Sequence, residues 1–161
     1  MIAYLDASAL VKRYVVEPGS RETVAFTTRS EMTATSIVSR AEVAAAFARA
    51  ARAGLVKDDV ARNAQRWFLA DWPDFVRVSV TEALVDRADR LAWEHGLRGY
   101  DAVQLASALT WQESVGEPIV VATFDHQLWD AARRSGLHAW PEQFPGGTTG
   151  AGGPQTRAPK A

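Results

Sequence analysis

Short apolar runs and helical patterns alternate along this chain. Ile2–Leu5 has no polar break and is partly β-branched or aromatic, the pattern of a strand buried on both faces. The run ends in Asp6, and a helical pattern follows at once over 7–15 until Glu17-Pro18-Gly19-Ser20 breaks it. Ser20 predicts the N-cap of a second helix over 21–29. Met32–Thr35 fits a short strand, and Ser36 opens a long helical run to Arg52, stopped by Gly54. A further helix over about 57–72 closes at Pro73 and makes a helical hairpin with the one before it. Phe75–Val80 alternates as a strand does, and Thr81 with Glu82 starts a helix that Gly96 stops. Tyr100–Val115 is the next helix. Ile119–Thr123, apolar almost throughout, is the strongest strand signal in the chain. His126–Ser135 predicts a last helix and Leu137–Trp140 an edge strand. Strands that alternate with helices imply parallel strands with helices on both faces.

The chain is 161 residues long, which predicts one domain over 1–144. Residues 145–161, mostly Gly, Thr, Pro, Ala and Gln, carry too little apolar surface to offset ordering entropy and are expected to be a disordered tail. No apolar run approaches the roughly 20 residues that span a membrane, and the first residues lack the pattern of a signal peptide. With no cysteine there is no disulfide framework and no thiolate metal site. The expectation is a cytoplasmic protein. A net charge of -1 argues against binding nucleic acid by bulk charge alone.

Four carboxylates then change the picture. Asp6 and Asp125 each follow a strand, and parallel strands place both at one sheet edge, where α/β proteins bind ligands. Glu42 lies in a helix whose neighbours at three and four residues are Val38, Ser39, Ala45 and Ala46, so it has no local ion-pair partner. Asp101 sits in the first turn of a helix, three residues after Arg98. Each has a local reading: Asp6 and Asp125 as N-caps, Asp101 as a dipole-stabilising residue paired with Arg98. Glu42 resists one, because an unpaired carboxylate on an apolar stripe is costly. Together the acids repel unless a cation is present. Oxygen ligands with no Cys and no paired His select a hard divalent ion, Mg²⁺ or Mn²⁺. Such ions serve phosphodiester hydrolysis. His95, His126 and His138 have no zinc-site spacing, and the chain has neither a nucleophile elbow nor a phosphate-binding Gly-rich loop.

Leu5-Asp6-Ala-Ser8, Arg40-Ala-Glu42, Tyr100-Asp101-Ala-Val-Gln-Leu-Ala and Ala122-Thr123-Phe-Asp125 stand in the order and approximate spacing of the PIN-domain family, which the chain resembles over about 1–141. It looks most like the VapC-type toxins of type II toxin–antitoxin pairs. The resemblance implies a Rossmann-like three-layer α/β/α sandwich and a Mg²⁺-dependent endoribonuclease, with Mn²⁺ able to substitute. It also implies an RNA substrate, inhibition by a small antitoxin protein, and a homodimer. Carried over by position, Asp6 and Asp101 are the main metal ligands, Glu42 completes the cluster directly or through water, and Asp125 holds a second metal or a bound water. Ser8 and Thr123 offer hydroxyls beside the site. The hairpin of the third and fourth helices carries Phe47, Trp67, Phe68 and Trp72, an aromatic stripe that reads as core but lies where this family meets its antitoxin or second subunit. Arg40, Arg49, Arg52 and Arg98 can line an RNA path or simply face solvent.

Other readings fit less well. A receiver domain needs an acidic pair after the first strand, and a haloacid-dehalogenase phosphatase needs an Asp where Ser8 stands. A PIN-fold nuclease directed at DNA, or a PIN-fold protein that only binds, remains as an alternative. Preference for RNA rests on the resemblance alone.

Overall fold

A computed structural model of the chain describes residues 1–144. The tail expected over 145–161 lies outside the described residues. Five strands form one sheet: β1 (Ile2–Leu5), β2 (Met32–Ser36), β3 (Val76–Val78), β4 (Ile119–Ala122) and β5 (His138–Trp140). Their order is β3-β2-β1-β4-β5 and every pairing is parallel. Helices cover both faces, as the alternation predicts. On one side lie α1 (Ala7–Lys12), α2 (Ser20–Thr28), α3 (Ser39–Arg52) and α4 (Asp58–Asp71). On the other lie α5 (Glu82–His95), α6 (Gly99–Val115) and α7 (His126–Arg134). The expected α/β/α sandwich is borne out, with a sheet that is wholly parallel among the described residues.

The period of two along β1 divides the core. Ala3 and Leu5 pack with Leu10, Val43, Phe47 and Phe68 under the first helical layer. Tyr4 points the other way, among Leu105, Ala106, Ile119 and Leu128. β1 is central and buried on both faces, which explains its unbroken apolar run. Beyond β1 the chain leads to β2 on one side and pairs with β4 on the other, so the sheet's switch point lies between β1 and β4. Asp6 N–H still donates to Ala122 O (3.2 Å), so the carboxylate leaves the sheet at that crevice.

Some boundaries move. The first helix stops at Lys12 rather than Val15, and Lys12 folds back so that Nζ donates to Glu17 Oε1 (2.9 Å) and Pro18 O (2.8 Å). Helix α3 begins at Ser39, not Ser36, because Ser36 is still paired with Val78 in the sheet. Ser20 is not an N-cap. Gly19 takes that position, and Ser20 Oγ donates to Val15 O while accepting from Glu17 N–H. Gly19 is required twice over. Its φ of +89° is left-handed, and a Cβ there would stand 2.9 Å from Phe124 Cε1. Gly19→Ala is expected to cost about 1–2 kcal/mol from the backbone alone. An unshifted chemical-denaturation midpoint would show that neither constraint operates.

Candidate active site

The turn after β1 is a knot of short polar side chains. Asp6 is 5% exposed, and its Oδ1 accepts from Ala9 N–H (3.0 Å), capping α1. Ser8 Oγ lies 2.7 Å and 3.0 Å from the two oxygens of Asp6, and Thr123 Oγ1 donates to Oδ2 (3.0 Å). Ser8 Oγ also accepts from Phe124 N–H (2.8 Å), and Thr123 Oγ1 from Asp125 N–H (3.0 Å). The ends of β1 and β4 are thus laced together through these hydroxyls. Despite these donors, burial pushes the Asp6 carboxyl up to about 7, and the charge of Glu42 adds to the rise.

The other three acids reach the same crevice from three helix starts. Asp125 caps α7, its Oδ1 accepting from Leu128 N–H (3.0 Å). Asp101 stands in the first turn of α6, where partial burial raises its carboxyl above the ordinary value against the pull of Arg98, with Asp125 adding repulsion. Glu42, in the first turn of α3, is raised by burial and by the nearby charge of Asp101, against a hydrogen bond from Gln104. Asp6, Glu42, Asp101 and Asp125 therefore line one cleft of roughly 770 Å³, together with Ser8, Lys12 and Arg49. A groove of roughly 860 Å³ over α3 and α4 is slightly larger, but it lacks such a set: its Asp58 is paired with Arg62.

One cation already sits among the acids. Arg98 donates through Nε to Asp101 Oδ2 and through Nη2 to Asp125 Oδ2, both at 2.7 Å. Its side chain is 70% exposed while those of the two acids are 14% and 25% exposed, so the guanidinium is the solvent-facing member. Among the described residues no three acidic or histidine side chains are placed to enclose one ion. A hard cation held by one or two carboxylates and several waters does not need such a cage. The donor set fits that kind of ion: all oxygen, with Asp6 buried where ionisation is expensive without a positive charge.

The spacing pairs Arg98 with Asp101, but its bridge to Asp125 depends on tertiary placement. Gln104 escapes the sequence reading, where it stands only as one position of the Tyr100-Asp101-Ala-Val-Gln motif. It is 2% exposed, and its Nε2 donates to Glu42 Oε2 at 2.5 Å. The only local signal was an amide inside an otherwise apolar turn, which must find partners when buried.

The PIN domain family model matches residues 3–134. Ribonuclease VapC45 and Ribonuclease VapC49, both of Mycobacterium tuberculosis, are each 37% identical over 148 residues, covering 89% of this chain and 97% of the relative. The crystal structure of PAE2754 from Pyrobaculum aerophilum superposes with a TM-score of 0.60 at 24% identity, over 86% of this chain and 83% of that one. VapBC2 of Rickettsia felis, crystallised on a DNA fragment from its promoter, gives 0.58 at 12% identity over 86% and 97%. At such identities these two show likeness of fold alone. The family match and the mycobacterial relatives, on a crevice flanked by carboxylates, establish that the chain belongs to the PIN-domain family.

Proposed function

We propose that this protein is a Mg²⁺-dependent endoribonuclease, with Mn²⁺ able to substitute, and the toxin of a toxin–antitoxin pair. The observation that carries the reading is Asp6, an acid buried at the end of the central strand in a cleft it shares with Glu42, Asp101 and Asp125. The substrate class comes from the relatives named as ribonucleases. Asp6 and Asp101 hold the cation, Glu42 supports it directly or through water, and Asp125 takes a second ion or an ordered water. The ion, when bound, neutralises phosphate charge and lowers the pKa of an attacking water. Ser8 and Thr123 fix the Asp6 carboxylate through the hydroxyl bonds described above. Lys12, Arg49 and Arg98 line the same cleft and suit the RNA phosphates. Tyr100, 63% exposed at the cleft, offers a face for an unstacked base.

A small antitoxin protein and a second copy of the chain complete the reading. In the helical hairpin Phe47 and Phe68 are buried, as is Trp72 just past the end of α4, while Trp67 is 60% exposed, so of these four only Trp67 is available to a partner. Incubation of the purified protein with total RNA, followed by mapping of cleaved ends, tests the function. Cleavage is expected with Mg²⁺ or Mn²⁺ and is expected to stop in excess EDTA. Full activity in EDTA would remove the metal from the reading, and intact RNA under every condition would remove the ribonuclease.

A further inference from the structure

The amide of Gln104 has every polar atom committed. Tyr4 Oη donates to Oε1 (2.6 Å), and Nε2 donates to Ser39 Oγ (2.9 Å) and to Glu42 Oε2 (2.5 Å). The direction of these bonds is forced. An ionised Glu42 only accepts, so the NH₂ must face it and Oε1 must take the Tyr4 proton. Ser39 Oγ accepts from Gln104 Nε2 and from Thr35 Oγ1 (2.8 Å), which also donates to Leu5 O (2.6 Å). A turned amide would set its oxygen against the carboxylate.

We infer that Gln104 is a positioning residue for Glu42, locked in its working orientation by Tyr4 and Ser39. The inference rests on the ribonuclease reading for its consequence, though not for its geometry. Glu42 needs such a device. Its helical neighbours offer no cation, it is only half-buried, and a glutamate left free has several rotamers open toward solvent. The choice of an amide also matters. Arg98 cancels charge on Asp101 and Asp125, whereas a neutral donor holds Glu42 in place and leaves its full charge for a cation. A glutamine kept only to satisfy the core would have no reason to spend a proton on a carboxylate at the cleft.

The test uses Gln104→Met, which keeps length and apolar volume but has no donor, with Tyr4→Phe and the double variant. Each is first shown to be folded by circular dichroism. For Gln104→Met, kcat is expected to fall roughly 10- to 100-fold with KM nearly unchanged, as for loss of a partner that orients a metal ligand. Tyr4→Phe should lose less, and should add nothing in the Gln104→Met background. Side-chain amide NMR gives a readout independent of activity. The Gln104 NH₂ pair should be resolved, slow to exchange and shifted downfield, and Glu42→Gln should move it. A folded Gln104→Met protein with wild-type kcat, additive kinetic effects, or an amide pair indifferent to Glu42→Gln would each overturn the inference. If Gln104→Met does not fold, Tyr4→Phe and the amide spectrum decide. A wild-type protein that cleaves no RNA would remove the ribonuclease reading instead, and the amide spectrum would then decide this one alone.

Discussion

Asp101→Asn is expected to keep its native circular dichroism and lose RNA cleavage by roughly 10³-fold, the scale on which removal of a single charge-stabilising group acts. The fold should tolerate the change because Asp101 is only partly buried, and its one charged partner, Arg98, keeps Asp125. Asparagine still accepts a hydrogen bond from that guanidinium. It cannot supply the anionic oxygen that a hard cation requires. The measurement pairs mapped RNA ends with calorimetric titration of Mn²⁺. Cleavage and Mn²⁺ affinity should fall together. Retained cleavage at wild-type rate would remove Asp101 from the site, and lost cleavage with unchanged Mn²⁺ binding would show that the acid acts on the substrate.

The second large effect concerns stability without metal. Unfolded, Asp6 titrates at the ordinary carboxylate value of 3.8; folded, it titrates near 7. Between these values the folded state keeps a proton that the unfolded state has released, so raising the pH favours unfolding. The stability is whole below about 3.8 and declines until the pH has passed about 7. At about 1.4 kcal/mol per pKa unit, the loss amounts to about 4 kcal/mol. Glu42 and Asp101 are shifted in the same direction. Asp6→Asn should remove most of this slope and be the more stable protein at pH 7 in EDTA, because asparagine caps helices as well as aspartate does. Urea denaturation of both proteins from pH 4 to 8 reads the difference and cancels unrelated groups such as Glu113, whose carboxyl Arg87 holds below its ordinary value. Added Mg²⁺ should restore the wild type and leave Asp6→Asn unchanged. A variant less stable at every pH would mean that capping is all Asp6 does.

The sequence made the architecture readable because its central strands, β1 and β4, are largely buried on both faces and its helices are punctuated by glycine and proline. Parallel strands then placed Asp6 and Asp125 at one edge without any coordinates. Glu42 was readable for a different reason, as a carboxylate with no local partner. For Asp6 and Asp125, capping and a place at the cleft are not alternatives: both cap a helix through one oxygen and line the cleft. An aspartate has two oxygens, and one backbone N–H occupies only part of its capacity. Gln104 was hidden because α6 is buried broadly around its axis, so periodicity marked no special face. Tyr4 was hidden because an aromatic in a buried strand reads as packing, and its hydroxyl partner lies 100 residues away.

The central place of β1 has a consequence for how the protein comes into being. This strand precedes the other four in the chain, yet it pairs with β4, beginning at Ile119, and Asp6 takes a hydrogen bond from Thr123. Pairing across such a separation must wait for the intervening chain, since the entropy of closing the loop comes before the contacts repay it. An emerging chain can therefore hold β1, β2 and α3 long before Thr123 and Asp125 arrive. Until they do, the carboxylates do not share a cleft, and a ribosome-bound fragment carries no complete acidic corner. Assembly of the cleft is therefore coupled to the pairing of β4 with β1, which brings Thr123 to Asp6.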